Sequence, residues 1–154
     1  MMLETSDPRQ TQAVAAALGR TLTGGEVIAL RGALGAGKTQ FVKGLAAGLD
    51  VPPEEPVVSP TFVLVREYAG RLRLIHIDAY RLHAAAELAD LGLDEILADR
   101  GAVVAVEWAD RAEGLLPSGA IGVELEHIDN THRRLRLAGL SAAAEAAIGM
   151  ARAG

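Results

Sequence analysis

The sequence predicts an α/β sandwich around a mixed sheet. Two observations lead there. A short apolar run, a glycine-rich loop and a helical segment follow one another near the start, and several further apolar strands are spread over the rest of the chain. At 154 residues the chain suits one ordinary domain with its own core, and no Pro/Ser linker or solenoid-length repeat divides it. Residues 1–154 are therefore expected to form a single domain.

The elements follow in order. Residues 8–19, PRQTQAVAAALG, are good helix formers, with Asp7 as N-cap, Pro8 at the first helical position and Gly19 as a stop. EVIALRG (26–32) reads as a buried strand. After Gly37, the spacing of Phe41, Val42, Leu45 and Leu49 is helical. Three prolines make 51–56 a loop. TFVLVREY (61–68) and RLRLIHID (71–78) read as strands joined at Ala69-Gly70. In the second, Leu72, Leu74 and His76 share one face, and Arg71, Arg73, Ile75 and Ile77 the other. AAAELADL (84–91) is helical, and GAVVAVEW (101–108) is an apolar strand ending in a carboxylate. IGVELEHI (121–128) and RRLRLAGL (133–140) are strand candidates. SAAAEAAIGMARA (141–153) reads as a final helix capped by Ser141.

Composition narrows the function. Half the residues are apolar but only five are aromatic, so the core must be mostly Ala, Val, Leu and Ile. No apolar run approaches the roughly 20 residues of a membrane span. The N-terminus lacks the basic-then-apolar order of a secretory signal. There is no cysteine, hence no disulfide or thiolate metal site. A soluble, cytoplasmic protein with no membrane association is expected. The net charge of -5 argues against broad, independent nucleic-acid binding, which needs many Lys/Arg–phosphate contacts.

One of only two lysines, against thirteen arginines, stands in Gly32-Ala33-Leu34-Gly35-Ala36-Gly37-Lys38-Thr39, which matches G-x-x-x-x-G-K-[ST]. At these residue frequencies the pattern arises by chance in roughly one such chain in several hundred. Glycines let backbone N–H groups turn inward around an anion, and the following helix adds its N-terminal donors and dipole. Lys38 supplies a mobile point charge for β/γ-phosphates, which the planar fork of Arg fits poorly, and Thr39 offers a hydroxyl to Mg²⁺. The alternative is a plain glycine-rich turn, but the strand before and the helix after are what a phosphate loop requires.

Asp78 and Glu107 each end a predicted strand, where α/β sheets collect their ligands. Each either reaches the metal beside the loop hydroxyl or caps a turn. Ser59-Pro60-Thr61 either senses a γ-phosphate as switch loops do or forms a strand-entry turn, the plainer reading. His76 reads as a structural histidine and Trp108 as a packing anchor. The cluster His132-Arg133-Arg134 with Arg136 contacts nucleotide, RNA or a partner, or lies half on a solvated face.

VVSPTF (57–62), HIDAYRL (76–82), LGLDEIL (91–97) and VEWADR (106–111), in this order after LGAGKT (34–39), resemble the TsaE family, small bacterial P-loop ATPases needed to make threonylcarbamoyladenosine on tRNA. The likeness spans roughly residues 8–140. It implies a P-loop NTPase-type three-layer sandwich with a mixed, partly antiparallel sheet. It implies ATP and Mg²⁺, slow and partner-stimulated hydrolysis, and association with TsaD-like and TsaB-like proteins, through which tRNA is met indirectly. By position, Gly35, Ala36, Gly37, Lys38, Thr39 and Gln40 hold the phosphates, and Thr39 and Glu107 hold Mg²⁺. Asp78 is the essential acid near the γ-phosphate. Ser59, Pro60 and Thr61 become switch-like. Thr11 lies near base or ribose, Arg133 near the nucleotide, and Trp108 packs beside the site. Two positions depart from the family's usual G-D-L-G-A-G-K-T followed by Thr or Ser: Ala33 and Gln40. Two other readings stay open: a P-loop small-molecule kinase, and a binding module that uses ATP as a clamp.

Overall fold

The computed structural model describes residues 1–33, 35–58, 65–79, 86–112 and 114–153. Among them run β1 (Met2–Thr5), α1 (Pro8–Thr21), β2 (Val27–Arg31), α2 (Lys38–Gly48), β3 (Val65–Tyr68), β4 (Arg73–Asp78), α3 (Ala86–Asp90), α4 (Leu93–Ala98), β5 (Ala102–Glu107), β6 (Ile121–His127), β7 (Arg133–Ala138) and α5 (Ala142–Ala153), with a short 3-10 turn at Ala109–Ala112. The strands form one seven-stranded sheet in the order β1-β7-β6-β2-β5-β4-β3. β6, β2, β5 and β4 are parallel neighbours, while β7, β1 and β3 are added antiparallel. The mixed, partly antiparallel α/β sandwich is therefore as expected.

Strands buried on both faces read as continuous apolar runs, and β5 is buried from end to end. Alternate side chains still go to opposite layers. Ile28, Leu30, Leu74, Val103 and Ala105 join the core under α1, α2 and α5. Val27, Ala29, Ile75, Ile77, Val104 and Val106 join a second core with α3, α4 and the 3-10 turn. This split bears out the two faces assigned to residues 72–77. The second layer stops short of β6, β7 and β1, whose outward residues Glu124, Glu126, Arg136, Met2 and Glu4 are exposed. Arg134 bridges that face, bonding Glu126 at 3.4 Å and Glu4 at 3.2 Å.

Asp7 caps α1 as expected, its side chain accepting from the Gln10 N–H at 2.8 Å. Ser141 caps α5, accepting from the Ala144 N–H at 3.1 Å. Gly19 is not a stop. The helix runs on to Thr21, and the position is glycine because a Cβ there would sit 2.8 Å from the Leu45 carbonyl oxygen. Arg71 does the terminating, donating to the carbonyls of Gly19 and Leu22, each at 2.9 Å. β1 and α4 are additions to the expected elements. β3 begins at Val65, and residues 61–64 of the expected strand lie outside the described residues, as do 84 and 85 of the expected helix.

α1 and α2 pack with almost no side chain between them. A Cβ on Gly44 would lie 2.2 Å from the Gln12 carbonyl oxygen, and one on Gly48 2.3 Å from that of Ala16. Replacing a helical glycine by alanine normally gains up to about 1 kcal/mol, whereas overpacking against rigid backbone costs about 1–3 kcal/mol. Here the obstacle is a neighbouring helix's backbone, so the cost wins. Gly48→Ala is expected to lower unfolding free energy by about 1–2 kcal/mol. Gly149→Ala in α5, where nothing lies within 4 Å of the new Cβ, is expected to raise it by about 0.5 kcal/mol. Urea melts of both variants check this; equal midpoints would refute the packing account.

Candidate functional site

The parallel register builds the site. Leu30 at the end of β2 pairs with Glu107 at the end of β5, which pairs in turn with Asp78 at the end of β4. The chain leaves β2 through the glycine-rich loop and turns back as α2, which lies over the same ends. Gly35 and Gly37 take φ of 80° and 103°, left-handed values that other residues adopt only with strain. Gly37 is the N-cap of α2, and no side chain caps that helix start. The loop thus points an uncapped helix N-terminus at the sheet's carboxyl end, an arrangement suited to an anion.

Lys38 is buried, with 5% of its surface exposed. Its Nζ donates to the Gly32 carbonyl at 2.6 Å and the Ala33 carbonyl at 2.9 Å, and lies 3.9 Å from the centre of the Trp108 ring. Burial lowers its pKa below the usual lysine value, opposed by the charges of Glu107, Asp78 and Asp110. Their negative charges support the ammonium. Trp108 holds φ of 58°, a strained value for a bulky residue, directly after Glu107. That turn directs its ring toward Lys38.

Glu107 is 3% exposed. Thr39 Oγ1 stands 3.2 Å from its Oε1 and 3.4 Å from its Oε2, and His76 Nε2 stands 2.5 Å from Oε2. Hydroxyl and carboxylate are hard oxygen donors that suit Mg²⁺. Among the described residues no group of three or more His, Asp or Glu forms a metal cage. Asp78 is half-buried on the same side of the sheet. The Ala79 N–H donates to the Glu107 carbonyl at 3.0 Å, locking the two strand ends together.

Arg133 reaches the loop, donating to the Gly35 carbonyl at 3.1 Å and to Asp129 and His132 carbonyls at 2.6 and 2.9 Å. The hairpin that carries it is held by Asp129, which accepts from the backbone N–H groups of Thr131 and His132. Those two bonds, then the His132 side chain, draw the Asp129 carboxyl well below the ordinary aspartate pKa. Gln40 bonds Gln12 of α1 at 2.6 Å, a use for the amide at that departure from the family pattern. At the other, Ala33, only the main-chain carbonyl is engaged by Lys38. Thr11 is buried, its hydroxyl bonded to Thr5 at 2.7 Å. Ala36 is buried beneath the loop. The structure thus gathers Lys38, Thr39, Asp78, Glu107, Trp108 and Arg133 around the loop, while Thr11 is tied to β1. Ser59, Pro60 and Thr61 lie outside the described residues.

Sequence reasoning did not name Gln12, Thr5 or Asp110, and it did not pair His76 with Glu107. A signal for His76 was present. It shares its strand face with Asp78, two residues on, and so faces the same layer as Glu107.

Residues 5–135 match the family described as "Threonylcarbamoyl adenosine biosynthesis protein TsaE". The chain is similar to proteins named "tRNA threonylcarbamoyladenosine biosynthesis protein TsaE". It is 41% identical to that of Treponema pallidum over 121 residues, 79% of this chain and 87% of the relative. It is 40% identical to that of Aquifex aeolicus over 138 residues, 89% and 93% of the two chains. The crystal structure of Bacillus subtilis YdiB superposes with a TM-score of 0.79 and 31% identity, covering 99% of this chain and 94% of that one.

The Lys38 microenvironment has a direct readout, since the chain holds only one other lysine. With a folded pKa below its unfolded value, Lys38 binds its proton less tightly in the fold. Its contribution to stability therefore rises as pH climbs through the interval between the two values. Lysine-selective NMR is expected to show one titration below 10.5 that is absent from Lys38→Ala. A Lys38 titration at or above 10.5 would contradict the burial argument.

Proposed function

The chain belongs to the TsaE family, and from that premise we propose that it acts in tRNA threonylcarbamoyladenosine biosynthesis as a slow, Mg²⁺-dependent ATPase subunit that binds TsaD-like and TsaB-like proteins. The observation carrying the ATPase reading is the meeting of the Thr39 hydroxyl with the Glu107 carboxylate, 3.2 Å apart, at the mouth of the loop. Turn geometry alone gives no reason to bring those two groups together.

In this reading the backbone N–H groups of Gly35 to Gln40 hold the triphosphate tail, with the dipole of α2 behind them. The Lys38 ammonium exchanges the Gly32 and Ala33 carbonyls for β/γ-phosphate oxygens. Thr39 and Glu107 would hold Mg²⁺, which when bound offsets charge on the phosphate oxygens. Asp78, one strand from Glu107, orients the attacking water or holds the metal's water shell. Arg133 fixes the loop through Gly35 and adds positive charge beside the nucleotide. tRNA is met through the partner complex, which suits a chain of net charge -5.

Lys38→Ala is expected to cut nucleotide affinity about a hundredfold or more, since it removes charged hydrogen bonds of about 1.5–3 kcal/mol each. Glu107→Ala is expected to lower Mg²⁺-dependent turnover more than nucleotide binding. Anion binding raises the Lys38 pKa, so affinity should be full below the free-protein value and fall as pH rises through it. The decisive assay follows phosphate release by the purified chain with TsaD–TsaB, with and without tRNA. No hydrolysis even with both companions would defeat the proposal, and a phosphorylated small-molecule product would replace it with a kinase.

A further inference from the structure

We propose that His76 is a positioning residue for Glu107: by holding one carboxylate oxygen, it presents the other to Thr39 and to the cation the two would share. The proposal rests on the metal and nucleotide reading above and deepens it.

His76 and Glu107 come from adjacent parallel strands. His76 pairs with Ala105, and Glu107 is the next residue of β5 on the same face. Both lie on the α2 side of the sheet, where their side chains converge. The His76 Nε2 to Glu107 Oε2 separation of 2.5 Å marks a strong, charge-assisted contact. With Oε2 held there, Thr39 Oγ1 sits nearer to Oε1, at 3.2 Å against 3.4 Å. The imidazole contact falls on Oε2 alone, and it is this that distinguishes the two oxygens.

The burial of His76 makes a packing role a poor account of it. Its side chain is fully buried, and Nδ1 has no hydrogen-bond partner among the described residues. Its neighbours along the strand face, Leu74 on β4 and Ala105 on β5, are apolar and fully buried. A leucine there would fill the space without leaving a polar atom unpaired, which costs about 1–3 kcal/mol. The tautomer with hydrogen on Nε2 leaves only a lone pair at Nδ1 and places the ring's single N–H on Glu107. What the imidazole contributes that an apolar side chain lacks is this one donor, aimed at one carboxylate oxygen. Groups that orient a metal-binding carboxylate in this way typically change metal affinity about 10–100-fold.

The test uses Mn²⁺ as a paramagnetic stand-in for Mg²⁺, its binding to the full chain with ADP followed by EPR, and ADP affinity measured separately in EDTA. His76→Leu keeps the bulk and loses the donor. His76→Gln places an amide N–H near the position of Nε2, and His76→Asn is too short to reach. The expected result is Mn²⁺ affinity about tenfold weaker for Leu and Asn and within about threefold of wild type for Gln. ADP affinity in EDTA should stay near wild type in all three variants, and the melting temperature near wild type for Gln, while Leu and Asn, which leave a buried Glu107 oxygen short of its donor, should melt lower. Unchanged Mn²⁺ affinity in both Leu and Asn would overturn the proposal. So would a parallel loss of ADP binding in EDTA, which marks a structural role. Should Leu fail to fold, the Gln–Asn difference alone decides. If the wild-type chain binds ADP but no Mn²⁺, the metal reading fails and this proposal with it. If it binds both and the His76 variants bind Mn²⁺ as the wild type does, the metal reading stands and His76 is released from it.

Discussion

A carboxylate at the end of a strand buried along its whole length must be met by donors, or it costs several kcal/mol. Glu107 is in that position. The register of β2, β5 and β4 brings the loop on one side and His76 on the other, so hydroxyl, imidazole and ammonium converge on it. The arrangement is mutual: the buried acid helps keep the buried lysine charged. A slip of β5 by one residue against either neighbour would turn Glu107 into the opposite apolar layer and take its charge away from Lys38. The sheet register and the site are therefore specified by the same interaction.

The helix layer obeys a different limit. α2 must start at the loop and still lie flat on the sheet, and α1 must pack over it. Gly44 and Gly48, set opposite Gln12 and Ala16, bring the two backbones into near contact. The Gln12–Gln40 bond adds a tether at the first turn of α2, so the loop is braced from the far side of the helix pair. The antiparallel half of the sheet supplies the third brace, because the β6–β7 hairpin delivers Arg133 to the Gly35 carbonyl.

Much of this was legible in the residues, and the failures have physical reasons. The loop was readable because glycines between an apolar run and a helical segment mark a turn that needs left-handed backbone, as Gly35 and Gly37 adopt. β5 was readable because burial on both faces leaves a continuous apolar run, and β4 because its residues alternate between two faces. β1 was not, since four residues at a sheet edge with alternating exposure carry too little signal. α4 is six residues long and begins at Gly92 in a left-handed conformation without a side-chain cap, so the usual start signal is missing. Gly19 was misread because a glycine kept for close packing looks the same in sequence as one that ends a helix. His76 was read as a structural histidine, and what the sequence hid was its partner Glu107, 31 residues away, since a lone histidine on a strand carries no mark of what it bonds.

The placement of Trp108 has an optical consequence. The chain contains a single indole, and the Lys38 ammonium sits 3.9 Å above its ring. An ammonium over that face interacts with the charge distribution of the ring, so any displacement of the lysine alters the surroundings of the indole. The emission of the native protein is therefore a label-free gauge of where the lysine is, built in without any dye.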